Sequence, residues 1–112
     1  PEASAHSAFK NEVLAAAEGA TQLTLKELAP VRLIKNPFYE RVAGAYARGA
    51  STDELRELLG RGRAKKGMRE GDLVEGELEI GQVASRIDAL RPAADIVRET
   101  AEHCALTLKR LC

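Results

Sequence analysis

At 112 residues, 45% of them apolar and 30% charged, the chain has the size and composition of one small globular unit, and neither a fibrous nor a membrane-embedded protein is written in it. Seventeen Lys and Arg against seventeen Asp and Glu leave a formal net charge of zero, so no global field draws in nucleic acid or an anionic membrane, and recognition by charge has to be local. Aromatic residues make up only 4%, so the core is built from Leu, Ile, Val and many alanines, which bury little area each; such a core predicts packing against something larger.

In chain order, Ser4 can cap a helix over 5–18, with Phe9, Val13, Ala16 and Ala17 recurring at three- and four-residue intervals and Gly19 as its stop. Thr21-Gln22-Leu23-Thr24-Leu25 alternates and reads as a short strand, for which the only other good alternating run is Glu77-Leu78-Glu79-Ile80. Ala29 to Asn36, with Pro30 and no helical period, reads as an extended connector. Asn36-Pro37 then has the residues of a helix start, Asn as cap and Pro at the first helical position, followed by a stripe of Phe38, Val42, Ala45 and Tyr46 up to Gly49.

Ser51-Thr52-Asp53-Glu54 has the spacing of a capping box and opens a short helix with Leu55, Leu58 and Leu59 inward and Gly60 at its end. From Arg61 to Gly76 the recurring glycines predict a loop, with a basic block (Arg61, Arg63, Lys65, Lys66, Arg69) running into an acidic one (Glu70, Asp72, Glu75, Glu77, Glu79). After Gly81, Val83, Ala84, Ile87 and Leu90 suggest a short helix that yields at Arg91, because a residue before proline avoids the α region. Pro92 opens the longest helix, with Ile96, Val97, Thr100, Cys104, Leu108 and Leu111 along one side. No repeat or low-complexity segment interrupts this order.

The residues alone offer no self-contained active site. His6 and His103 lie far apart, and neither has the neighbours that nucleophilic catalysis or zinc binding needs; both read as structural or solvated. The acidic block lacks the ligand order of a calcium loop, so no metal site is expected. The basic block has no aromatic platform for bases; it can pair with the acidic block beside it, or form a docking patch for an acidic protein partner. Gly60-Arg61-Gly62-Arg63 follows a predicted helix where a dinucleotide loop would follow a strand. Cys104 and Cys112, about 12 Å apart if helical, are expected to be free thiols, which together with the absence of an export segment suggests a cytoplasmic protein. A first residue of Pro1 rather than Met leads us to expect a missing upstream portion.

Three stretches together resemble the C-terminal portion of one flavoprotein family, the FMN-dependent nitronate monooxygenases (2-nitropropane dioxygenases) and the related enoyl-acyl-carrier-protein reductase II. They are Ser4-Ala5-His6 to Lys10, Ala29-Pro30-Val31-Arg32-Leu33-Ile34-Lys35-Asn36, and Glu70-Gly71-Asp72-Leu73 through Gly81-Gln82, and the likeness runs from Ser4 to about Leu108. The resemblance implies a mainly α chain with one or two short strands, forming the helical cap and closing helices of a TIM-barrel flavoprotein. Residues 1–20 would continue from the missing barrel portion, 21–80 would form the cap with its short strands and charged loop, and 81–112 would pack back on the barrel. It implies FMN held mainly by the upstream portion, with NAD(P)H as a reductant, and places no catalytic residue in this segment. Gly81 and Gln82 are the candidates for approach to the flavin, since a glycine admits close backbone and an amide both donates and accepts. Arg61, Arg63, Lys65, Lys66 and Arg69 are the candidates for partner docking. Expected partners are the barrel portion itself, an acyl carrier protein and a second copy of the chain. The alternative from a different class is a free-standing helical interaction module without chemistry.

Overall fold

The computed structural model describes all 112 residues, Pro1–Cys112. Helices dominate: α1 (Ser7–Ala15), α2 (Pro37–Ala47), α3 (Thr52–Leu59), α4 (Arg63–Met68) and α5 (Ala93–Leu111), with strands β1 (Thr21–Thr24) and β2 (Val31–Ile34) and a 3₁₀ turn at Gln82–Arg86.

The two strands pair antiparallel, Thr21 opposite Ile34 and Thr24 opposite Val31. The expected partner of β1, the Glu77–Ile80 run, instead lies on the far side of β2, where Glu79 bridges Leu33, Leu78 accepts from the Ile34 N–H at 2.9 Å and the Ile80 N–H reaches the Arg32 carbonyl at 3.2 Å. The stretch expected to be a connector is therefore a strand. Its lack of alternation has a physical cause: successive strand side chains point to opposite faces, and here both faces are covered. Leu33 enters one apolar cluster with Leu25, Phe38, Val42, Ala45 and Leu55, while its neighbour Ile34 enters another with Phe9, Val13, Ala16, Leu78 and Ala84. The ribbon is the partition between two small cores.

Local chemistry sets the helix ends. α1 starts later than expected, because the cap is His6, whose Nδ1 accepts from the Ala8 N–H at 3.0 Å, rather than Ser4. α2 is capped by Asn36, which accepts from the Tyr39 N–H at 2.9 Å, with Pro37 at its first position. The capping box of α3 forms in both directions between Ser51 and Glu54. A fourth helix, α4, occupies part of the segment expected to be loop. Gly62, at φ 71°, turns the chain into it, and Gly67 sits inside it because the backbone of Glu77 passes so close that a Cβ there would fall 2.8 Å from the Glu77 carbonyl oxygen. The expected helix after Gly81 is only the 3₁₀ turn, closed by the Ile87 N–H to the Ala84 carbonyl at 3.0 Å.

One backbone feature stands out in the first half. Leu25 has φ 53°, in the left-handed region, yet its side chain is 1% exposed in the second cluster. Its carbonyl accepts from both Leu28 and Ala29, closing the turn that joins the strands.

α5 is different in kind. None of its 19 residues is buried, and Val97, Leu106, Leu108 and Leu111 are 69%, 57%, 56% and 78% exposed. At 100° per residue, Ile96, Val97, Thr100, Ala101, Cys104, Ala105, Leu108 and Leu111 fall on one half of the helix surface. The helix is tied to the rest by the Glu2 carboxylate, which accepts from the Ala93 N–H, and Arg91 just before it pairs with Glu99. The molecule as a whole measures 51 Å along its longest axis.

Candidate functional site

The charged segment 61–80 is the most heavily bonded part of the chain, and Arg63 is its hub. Its guanidinium lies over the Phe38 ring, 4.4 Å from the centroid. The fork donates to the Leu59 and Leu58 carbonyls at the end of α3 (2.7 and 2.9 Å) and to the Glu75 carbonyl (2.8 Å). Glu75 also takes a bidentate contact from Arg41 at 2.8 and 2.6 Å, which holds its carboxyl below the usual range. Asp72 accepts from the Val74 and Glu75 N–H groups, and Asn36 reaches across to the Leu73 and Gly76 carbonyls, both at 2.9 Å. Gly76 crosses so near Gly67 that a Cβ on it would collide with the Gly67 Cα and the Asp72 carbonyl, and a Cβ on Gly71 (φ 78°) would run into the His6 ring.

This places the residues expected to dock a partner in two groups. Arg63 faces inward, its side chain 20% exposed and its fork committed to the Leu58, Leu59 and Glu75 carbonyls and the Glu75 carboxylate, so within this chain it acts as an internal tie. Arg61, Lys65, Lys66 and Arg69 stay on the surface, where Lys65 stands 3.5 Å from Glu70 and Lys66 3.6 Å from Asp72. Such exposed pairs are screened and hold little energy. Glu77 is 6% exposed; burial, and then the charge of nearby Glu79, push its carboxyl above the usual range, with Arg63 opposing.

Of the two flavin-approach candidates, Gln82 lines a polar hollow of about 510 Å³ together with Glu18, Gly19, Val83, Ser85 and Arg86, while Gly81 is not part of that lining. Gly81 has φ −71°, and a Cβ there would meet only Val83 at 4.0 Å, so nothing within this chain requires glycine at that position. Val83 is the one apolar side chain in the lining. A flavin ring needs an apolar slot of its own dimensions, and these six residues do not provide one; they can offer an amide and a guanidinium to the edge of a group held by something else. No three of the His, Cys, Asp and Glu side chains stand close enough to share a metal ion, His103 is exposed on α5, and Cys104 and Cys112 are free thiols.

A second concavity, of about 420 Å³, lies where β1 meets α2, lined by Gln22, Leu23, Thr24, Lys26, Glu27, Tyr39, Ala43 and Tyr46. The Tyr46 hydroxyl donates to the Glu27 carboxylate, which holds Glu27 down, while burial and then that same carboxylate raise the phenol. Tyr39, Ala43 and Tyr46 stand at i, i+4 and i+7 on one side of α2, a large-small-large spacing visible in the sequence though hidden there by the stronger stripe of Phe38, Val42 and Ala45.

No family model matches the chain, and none of the curated proteins does. Solved structures do. FabK from Thermotoga maritima matches with a TM-score of 0.81 at 24% identity, over 96% of this chain and 34% of that one. A point mutant of the same FabK gives 0.74 at 23%, over 96% and 31%. The chain thus spans about a third of the length of the structures it matches. Its fold, mainly helical with two short strands, is that of the C-terminal portion of this TIM-barrel protein. No helix is long and apolar enough to cross a membrane.

Proposed function

We propose that the chain serves as the C-terminal portion of an FMN-dependent oxidoreductase of the nitronate monooxygenase and enoyl-acyl-carrier-protein reductase II type, in the cytoplasm. The observation that carries this is the match to FabK, an enoyl-acyl-carrier-protein reductase II, over 96% of the chain. It is supported by α5, whose apolar half has no cover within these residues and whose length suits packing against a larger body. The division of labour follows from the hollow at Gln82: the remainder of the parent holds the flavin, and this chain contributes the Gln82 rim and the rigid 61–80 segment behind it.

Two reactions remain within the proposal. One oxidises alkyl nitronates with O₂; the other adds a hydride from NAD(P)H and a proton across the double bond of an enoyl thioester. The exposed Arg61, Lys65, Lys66 and Arg69 favour the second, because a carrier protein rich in acidic residues would be steered to them. Lys65→Glu with Lys66→Glu in the parent should raise KM for the carrier-bound substrate and leave KM for a free thioester unchanged; equal effects on both remove the carrier from the proposal.

The central test is made on the protein that contains this chain. It should purify yellow with stoichiometric FMN and bleach with NAD(P)H under anaerobic conditions, while the 112-residue chain alone holds no flavin. A colourless parent, or a chain that retains FMN and turns over NAD(P)H by itself, overturns the proposal. Should the parent be colourless and the chain unfold cooperatively alone, the non-catalytic interaction module takes its place.

A further inference from the structure

Two elements build the hollow at Gln82. On one side is the 3₁₀ turn, whose Ala84 is 0% exposed and plugs the cluster that also holds Val13 and Ala16, so Gln82, Ser85 and Arg86 stand on a pinned backbone. On the other are Glu18 and Gly19 just past α1, where Gly19 turns the chain at φ 79°. Four polar side chains of different chemistry line the space between: the Glu18 carboxylate, the Gln82 amide, the Ser85 hydroxyl and the Arg86 guanidinium. Neither Glu18 nor Arg86 is in an ion pair within the chain. At about 510 Å³ the hollow has the size of a small-molecule site, but with Val83 as its one apolar side chain it suits neither a flavin ring nor an acyl chain.

We propose that this hollow receives the adenosine-side ribose and the diphosphate of a nicotinamide dinucleotide, Arg86 and Ser85 holding the diphosphate and Glu18 the ribose hydroxyls, so that Glu18 makes NADH the preferred reductant over NADPH. The assignment rests on the flavoprotein reading above for the dinucleotide's role as reductant. A guanidinium offers its N–H donors in a planar fork that matches two phosphate oxygens, and a serine hydroxyl adds another donor. A carboxylate accepts from vicinal hydroxyls and repels a phosphate at the 2′ position, which is how dinucleotide sites tell one reductant from the other.

Having both charges in one hollow also decides among polar ligands. Inorganic phosphate gains from Arg86 what it loses to Glu18. A phosphopantetheine arm brings a single hydroxyl and a branched hydrocarbon for which only Val83 is at hand. A ribose diphosphate uses all four groups, with the Gln82 amide able both to donate and to accept along the sugar–phosphate link.

The test is the binding of ADP-ribose, the reductant without its nicotinamide, to the full parent protein by calorimetry, a reading that needs neither turnover nor flavin reduction. ADP-ribose should bind about tenfold more tightly than its 2′-phosphate. Arg86→Ala should weaken both ligands about tenfold or more, as loss of a charge-assisted contact does. Glu18→Gln should hold ADP-ribose within about threefold and tighten the 2′-phosphate about tenfold, abolishing the preference, and should lower KM for NADPH relative to NADH. Both side chains are exposed, so the variants keep the fold.

Equal binding of the two ligands by the unaltered parent overturns the proposal. So does an Arg86→Ala variant that binds both as before, tighter binding of 4′-phosphopantetheine than of ADP-ribose, or a variant that loses FMN, which would give the hollow to the flavin. None of these outcomes touches the flavoprotein reading, which fails on a colourless parent and stands on a yellow one whatever ADP-ribose does.

Discussion

Residues 7–80 and α5 obey different rules. In the first region two six-residue clusters share the ribbon as a common wall, and the charged segment is knotted to α2 and α3 through Arg63, Glu75 and Asn36. In the second, 19 residues keep helical geometry with no buried side chain. The first region is held by its own contacts. The second carries an amphipathic pattern that no other part of this chain covers, so it adds little to the stability of these residues. Helicity and packing are separate matters, and an apolar stripe in a sequence promises a partner without saying where it is.

That contrast can be broken at four points. Phe38 is fully buried in the second cluster and forms the platform beneath Arg63, so Phe38→Ala should cost about 3–5 kcal/mol, read as a loss of denaturation midpoint; a cost under about 1 kcal/mol would mean the cluster is not the anchor of this region. Gly76→Ala forces backbone against backbone at the Gly67 crossing and should cost about 1–3 kcal/mol or more; an unchanged midpoint would disprove that approach.

Glu77→Gln tests the sign of a charge effect. Because the folded carboxyl titrates above its unfolded value, the folded state binds the extra proton, so its stabilisation is present below the unfolded pKa and lost as pH rises through the folded one. The variant should therefore match the parent chain near pH 4 and exceed it at pH 7 in urea melts; the reverse order would place Glu77 in an ion pair. The smallest effect is expected in α5. Val97→Asp or Leu108→Asp in this chain should shift stability by no more than about 0.5 kcal/mol, whereas in the full parent the same change should destabilise strongly; a large effect in the isolated chain would show that α5 packs on it after all.

Much of this was legible from the residues. Asn36-Pro37 and the Ser51–Glu54 box marked α2 and α3 because the cap chemistry is local, and the period of α5 was plain because one half of it is polar apart from Leu106. β2 was not legible, since Val31–Ile34 is covered on both faces and loses the alternation by which half-buried strands are found. α4 was hidden by Gly62 and Gly67, which read as breakers although the first turns the chain into the helix and the second makes room for Glu77. The inward role of Arg63 depends on Phe38 and Glu75 meeting it in space, which no local pattern records.

Leu25 places a lock on how this chain can drift. Its left-handed backbone favours glycine or asparagine, while the cavity its side chain fills demands a large hydrocarbon. Valine and isoleucine fail the first requirement, glycine and asparagine the second, so descendants of this sequence have almost nowhere to go at that position unless the turn and the core change together.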